Sequence, residues 1–145
     1  MERRQFLLSS CKLCAAAALG AAFTELTGCG TPYQVMKTPI LDNKVQVPLT
    51  AFTQTNTVFV RPQGWYYDIA VEKKADNSYS ALLLQCTHQE NQLNVSADGY
   101  SCNLHGSHFD KDGKVRKGPA EKPLEHYKTV VNNDQLFIDV PKTPY

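Results

Sequence analysis

The sequence predicts an all-β domain, and three observations carry that expectation. After residue 30 no long segment keeps the 3.6-residue period of a helix. In its place come short apolar or alternating runs, "YYDIAV", "YSALLLQC" and "TVVNNDQLFIDV", rich in the β-branched and aromatic residues that suit a pleated surface. Turn signals punctuate the chain: "DG" at 98–99 and 112–113, and "NND" at 132–134, which brings a strand back on itself. Trp65, flanked by these runs, is expected in the core.

The N-terminus reads as an address. "MERRQFLLSSCKLCAAAALGAAFTELTGCG" has a basic start, an apolar Ala-rich run and small residues around Cys29, the grammar of an export signal. As a membrane span it is too short, since the run from Leu13 to Phe23 falls below the roughly 20 residues a span needs. "RRQFL" resembles the core of a bacterial twin-arginine signal, although Glu2 stands where Ser or Thr is usual and Leu8 where Lys is common. An ordinary export signal with two Arg is the alternative. "LTGC", Leu26 to Cys29, resembles the lipobox of bacterial lipoproteins. That resemblance implies cleavage before Cys29, lipidation of Cys29, and attachment to a membrane of the cell envelope. The expected organisation is a signal peptide over 1–28, a lipid-anchored linker over 29–44, broken by Pro32 and Pro39, and one globular domain over 45–145.

Charge excludes one class of partner. The 145 residues carry a formal net charge of +1. Removing residues 1–28 takes away Arg3, Arg4 and Lys12 with Glu2 and Glu25, which leaves the remainder neutral. No basic block stands out, so nucleic acid is not expected as a partner. A domain of this size has a modest core, and a cofactor that cross-links loops would add to its stability.

Of the five cysteines, Cys11 and Cys14 form a C-x-x-C inside the leader and are lost with it, and Cys29 takes the lipid. Cys86 and Cys102 remain, in a compartment where a disulfide between them is allowed. Each also carries a nearby imidazole: "CTH" places His88 two residues after Cys86, and "CNLH" places His105 three after Cys102. Thirteen residues, 89 to 101, separate the two segments. A nucleophilic thiol needs one Cys and one base, not two sets. A metal centre uses all four. Zinc would bind the same donors, though its sites usually pair like with like.

Cys86-Thr87-His88 followed by Cys102-Asn103-Leu104-His105-Gly106-Ser107 resembles the cluster motif of Rieske proteins, and "GPAEKPLEHY" is similar to the Pro-bearing loop that shields their cluster. The resemblance implies the Rieske fold, stacked antiparallel β-sheets with a small cluster-binding subdomain, and both ligand loops at hairpin tips. It implies a [2Fe-2S] cofactor, with Cys86 and Cys102 on one iron and His88 and His105 on the other. Neutral imidazoles in place of thiolates lower the negative charge at one iron. The reduction potential then rises from about −400 mV toward roughly −150 to +300 mV. In the cytochrome bc type a Ser and a Tyr hydroxyl donate to the cluster sulfurs, and a disulfide ties the loops. Ser107, just after Gly106, matches that Ser. Phe109 stands at the Tyr position, and Asn91 and Leu104 stand where the disulfide cysteines would be. An intermediate potential is therefore expected.

The gap between the ligand segments is short for the family and implies a trimmed hairpin. The resemblance also implies one-electron transfer to or from a redox protein or a quinol, with exposed His88 and His105 able to meet a quinol hydroxyl. No substrate pocket or general base is evident, so the chain is expected to act as a carrier or oxidoreductase subunit rather than as an enzyme alone. A structural zinc lipoprotein, the ferredoxin component of a ring-hydroxylating dioxygenase, and a cluster-free lipoprotein are the rivals. His108 and His126 read as surface residues. Lys111, Lys114, Arg116 and Lys117 read as a solvated face beside the second ligand loop, with steering of an acidic redox partner as the other reading.

Overall fold

Alternation in Lys44–Pro48 (β3) buries Val45 and Val47 and leaves Lys44 and Gln46 outside, as a strand with one wet face must. The computed structural model describes residues 33–141. The leader, the lipobox and cysteines 11, 14 and 29 lie outside the described residues. Gln135–Asp139 (β13) pairs antiparallel with β3 so that Leu136 faces Val47 and Ile138 faces Val45. Thr129–Asn132 (β12) and Ile40–Leu41 (β2) complete this four-stranded base sheet, ordered β12-β13-β3-β2. Its two hairpins turn on Asn133-Asp134 and Asp42-Asn43. All four residues have φ between 46° and 59°, the left-handed pairs of tight hairpin loops.

A five-stranded sheet lies in the middle of the molecule. Its order is Val35–Thr38 (β1), Thr57–Pro62 (β4), Ile69–Lys73 (β5), Tyr79–Leu83 (β6) and His126–Tyr127 (β11). Its strands serve two cores, which is why "ALLL", residues 81–84, is continuously apolar rather than alternating. Val60, Ile69, Val71, Ala81 and Leu83 join Val45, Val47, Leu136 and Ile138 in the base core. Ala70, Leu82 and Leu84 join Cys86, Leu93, Tyr100, Cys102 and Phe109 in a second core. The pairing of β1 with β4 is parallel, the one departure from an antiparallel pattern among the named pairs of the described residues.

The second core is roofed by a small sheet of Asn94–Ser96 (β7), Gly99–Ser101 (β8), His108–Asp110 (β9) and Val115–Lys117 (β10), ordered β10-β9-β8-β7. Each strand has three residues, the short hairpin that the narrow gap between the ligand segments implies. Gly99 is obligatory there: its φ is +151°, and a Cβ would run into the carbonyl oxygen of Phe109.

The structure carries the folded region back into the segment expected as linker. Val35–Thr38 and Ile40–Leu41 are strands of two different sheets. Pro32 and Pro39 suggest an unstructured tether, but Pro39 sits between β1 and β2, where it interrupts no ladder. The one helical element among the described residues is a four-residue 3-10 turn, Leu49–Phe52.

Candidate metal centre

Two loops project from the second core. The first runs from the end of β6 to Leu93 and closes on itself. The Cys86 N–H donates to the Asn91 carbonyl at 2.8 Å, the Leu93 N–H to the Leu84 carbonyl at 2.9 Å, and Gln85 bridges Gln92. The second is the tip between β8 and β9. There the Gly106 N–H donates to the Cys102 carbonyl and the Cys102 N–H to the Ser107 carbonyl, both at 2.9 Å. Gly106 turns the tip with φ +77°.

Folding sorts the four predicted ligands by chemistry. Both thiols are buried and free, in van der Waals company with Leu84, Leu93 and Ala120. Both imidazoles are exposed, their rings edge to face at 4.9 Å between centroids. The disulfide reading of Cys86 and Cys102 is not what the structure holds. A buried sulfur pair and an exposed nitrogen pair is a donor division that fits a binuclear centre with unlike irons.

Electrostatics prepare the sulfur side. Burial pushes the Cys102 thiol up. Hydrogen bonds from the backbone amides of His105 and Leu104, with further ones from the Cys86 thiol and the Asn91 amide, more than offset it, so the thiol lies below its ordinary value. Amides converging on a sulfur favour its anionic form, so the donor set fits a cluster held by thiolates.

A third segment closes over both loops. The Ala120 N–H donates to Ser107 Oγ at 3.0 Å, and Thr87 Oγ1 donates to the Lys122 carbonyl at 2.7 Å. The Pro-bearing stretch is thus bonded to each ligand loop. Ser107 is fully buried, and its oxygen is engaged as an acceptor, which leaves its proton for another acceptor in the site. Phe109 is buried in the second core and offers no donor. Leu104 stands 64% exposed beside His105.

Sequence reasoning passed over the residues that seat the first loop. Tyr67 Oη donates to the Glu90 carbonyl at 2.6 Å. Asp68, fully buried, holds Arg61 through two bonds of 2.6 and 3.0 Å and accepts from Tyr33 Oη at 3.0 Å. Its backbone N–H donates to Gln92 Oε1 at 3.0 Å. The available signal was one carboxylate inside the apolar run "YYDIAV", since a buried charge demands a partner. The partner itself, Arg61, is set by the β4–β5 fold.

A family model for the Rieske [2Fe-2S] domain matches residues 31–128. The chain belongs to the Rieske family. Its cofactor is accordingly a [2Fe-2S] cluster, and it is a Rieske-type electron carrier. It is similar to the cytochrome b6-f complex iron-sulfur subunit 1 of Synechocystis sp., 35% identical over 69 residues, which cover 45% of this chain and 39% of that protein. It is also similar to the mitochondrial cytochrome b-c1 complex Rieske subunit of Aotus azarae, 48% identical over 40 residues, covering 28% and 15% respectively. The match thus spans well under half of either relative's length. In fold it resembles the cyanobacterial plasma membrane Rieske protein PetC3 from Synechocystis PCC 6803, with a TM-score of 0.51 and 24% identity over 63% of this chain and 93% of that one.

Proposed function

We propose that this Rieske protein carries single electrons in the cell envelope, with its cluster held by Cys86 and Cys102 on the inner iron and His88 and His105 on the outer. The observation that carries this reading is the sorting of donors: buried thiols, exposed imidazoles. The cluster, when bound, accepts and releases one electron. The surrounding residues exclude water from its sulfur side and leave the imidazole edges as the path to a partner, a redox protein or a quinol.

Residues 1–28 would be the export signal, and Cys29 the lipidated N-terminus that keeps the protein on its membrane, facing the periplasm. The sequences "RRQFL" and "LTGC" support this, and the relatives named for cytochrome complexes support a role as carrier or subunit in a respiratory oxidoreductase. The deciding experiment is EPR of the dithionite-reduced full-length protein with labile-sulfide analysis. A histidine-ligated cluster gives a low average g value, and a colourless protein containing zinc and no sulfide would refute the assignment. Mass spectrometry of the N-terminal peptide tests lipidation, and Cys29→Ala is expected to move the protein from the membrane to the soluble fraction.

The site's donors set the expected potential between those of ferredoxin-type and bc-type relatives. Ser107→Ala is expected to lower it and Phe109→Tyr to raise it, because a hydroxyl aimed at a cluster sulfur favours the electron-rich state. Redox titration of the two variants beside the wild type checks both directions.

A further inference from the structure

Cys86 and Cys102 are the cysteines of the described residues, and both stand free, so the two ligand loops have no covalent tie. Besides the Cys86 thiol, the Asn91 side chain reaches across. Asn91 lies at the return of the first loop, half-buried, with its Nδ2 at 3.9 Å from Cys102 Sγ on the second. The same residue's carbonyl accepts the Cys86 N–H at 2.8 Å. Asn91 therefore touches the backbone of one cysteine and the sulfur of the other.

Its orientation is imposed from below. Asn91 Nδ2 also donates to the Gln92 carbonyl at 3.2 Å. Gln92 is fixed in turn: its Oε1 accepts from the Asp68 N–H, and its Nε2 donates to the Leu93 carbonyl at 2.9 Å. Asp68 is fully buried and locked by Arg61 and Tyr33. An amide that is a freely rotating surface group gains little from a long contact to sulfur. One held by a chain of bonds down to a buried ion pair presents its N–H to that sulfur without further ordering cost.

We propose that Asn91 is a positioning and tuning residue for the electron-transfer centre, joining the two ligand loops and donating a hydrogen bond to the Cys102 sulfur. The inference rests on the ligand assignment above. A donor at a ligand sulfur offsets charge added on reduction, so it raises the potential and supplies in part what Phe109 cannot. It also holds Cys86 and Cys102 in register for the same iron.

The test compares full-length wild type, Asn91→Leu and Asn91→Asp, each assayed for iron and labile sulfide before redox titration. At the wild-type midpoint, Asn91→Leu is expected to shift the oxidised-to-reduced ratio about tenfold toward oxidised, a fall of about 59 mV for a one-electron couple. Asn91→Asp, which keeps the shape and replaces a donor by a carboxylate, is expected to shift it further the same way. A fully loaded Asn91→Leu protein with an unchanged potential overturns the inference and leaves the ligand assignment standing. Should neither variant load, pulsed EPR of reduced wild type carrying 15N in asparagine side chains decides: a 15N coupling to the cluster, separate from the 14N couplings of the histidines, supports the contact, and its absence overturns it. Wild type without labile sulfide overturns the inference and the assignment together.

Discussion

The base and the tip of this molecule are built on opposite terms. The base core pairs Val45 with Ile138 and Val47 with Leu136 across a full sheet and packs them on Val60, Ile69, Val71 and Leu83. It owes nothing to a cofactor. The tip has three-residue strands, and two of its core members are the cysteines themselves. Its loops are seated by individual hydrogen bonds that Tyr67, Thr87 and Asn91 donate and that Ser107 accepts from the Ala120 N–H. Burial of apolar surface stabilises one region. Polar seating plus the cluster stabilises the other, and that seating is also what keeps the donors in place for electron transfer.

Three substitutions separate the regions. Cys102→Ser is expected to abolish the cluster's visible absorbance and EPR signal outright while the β-sheet circular dichroism of the base persists. Collapse of both signals together would mean that the base depends on the tip. Leu136→Ala empties a fully buried site in the base core. It is expected to cost about 2–5 kcal/mol in denaturant unfolding, with the potential unmoved. The smallest effect lies at Tyr100 in the tip. Burial, with the Glu72 carboxylate adding to it, raises this phenol from 10.0 to about 12. The folded protein keeps a proton that the unfolded chain releases near pH 10, so this contribution is present below pH 10 and lost as the pH rises to about 12. Tyr100→Phe is expected to flatten that alkaline decline in unfolding titrations, and an unchanged slope would assign it to another group.

Legibility followed the range of the interactions. Hairpin turns are local chemistry, so Asn133-Asp134 and the short β7–β8 hairpin were readable from residues alone. The mixed Cys and His pairs were readable because each pair sits within one tip. Asp42-Asn43 carries the same left-handed turn chemistry as 133–134, yet two prolines nearby led the segment 29–44 to be read as linker. The parallel β1–β4 pair joins strands nineteen or more residues apart, a pairing without a local turn to announce it. In the sequence Asn91 stands out only as the residue at a disulfide-cysteine position, and Gln92 not at all, because their partners, Cys102 and Asp68, are brought to them only by the fold.

The parallel seat of Val35–Thr38 against Phe59–Pro62 has a mechanical consequence. Val35 is the N-terminal end of this strand and Thr38 its C-terminal end. A force drawn on the N-terminus along the strand axis loads all the β1–β4 bonds at once, in shear, instead of peeling them singly. Such a pull would load the central sheet and leave the short hairpin of β7 and β8 unstressed.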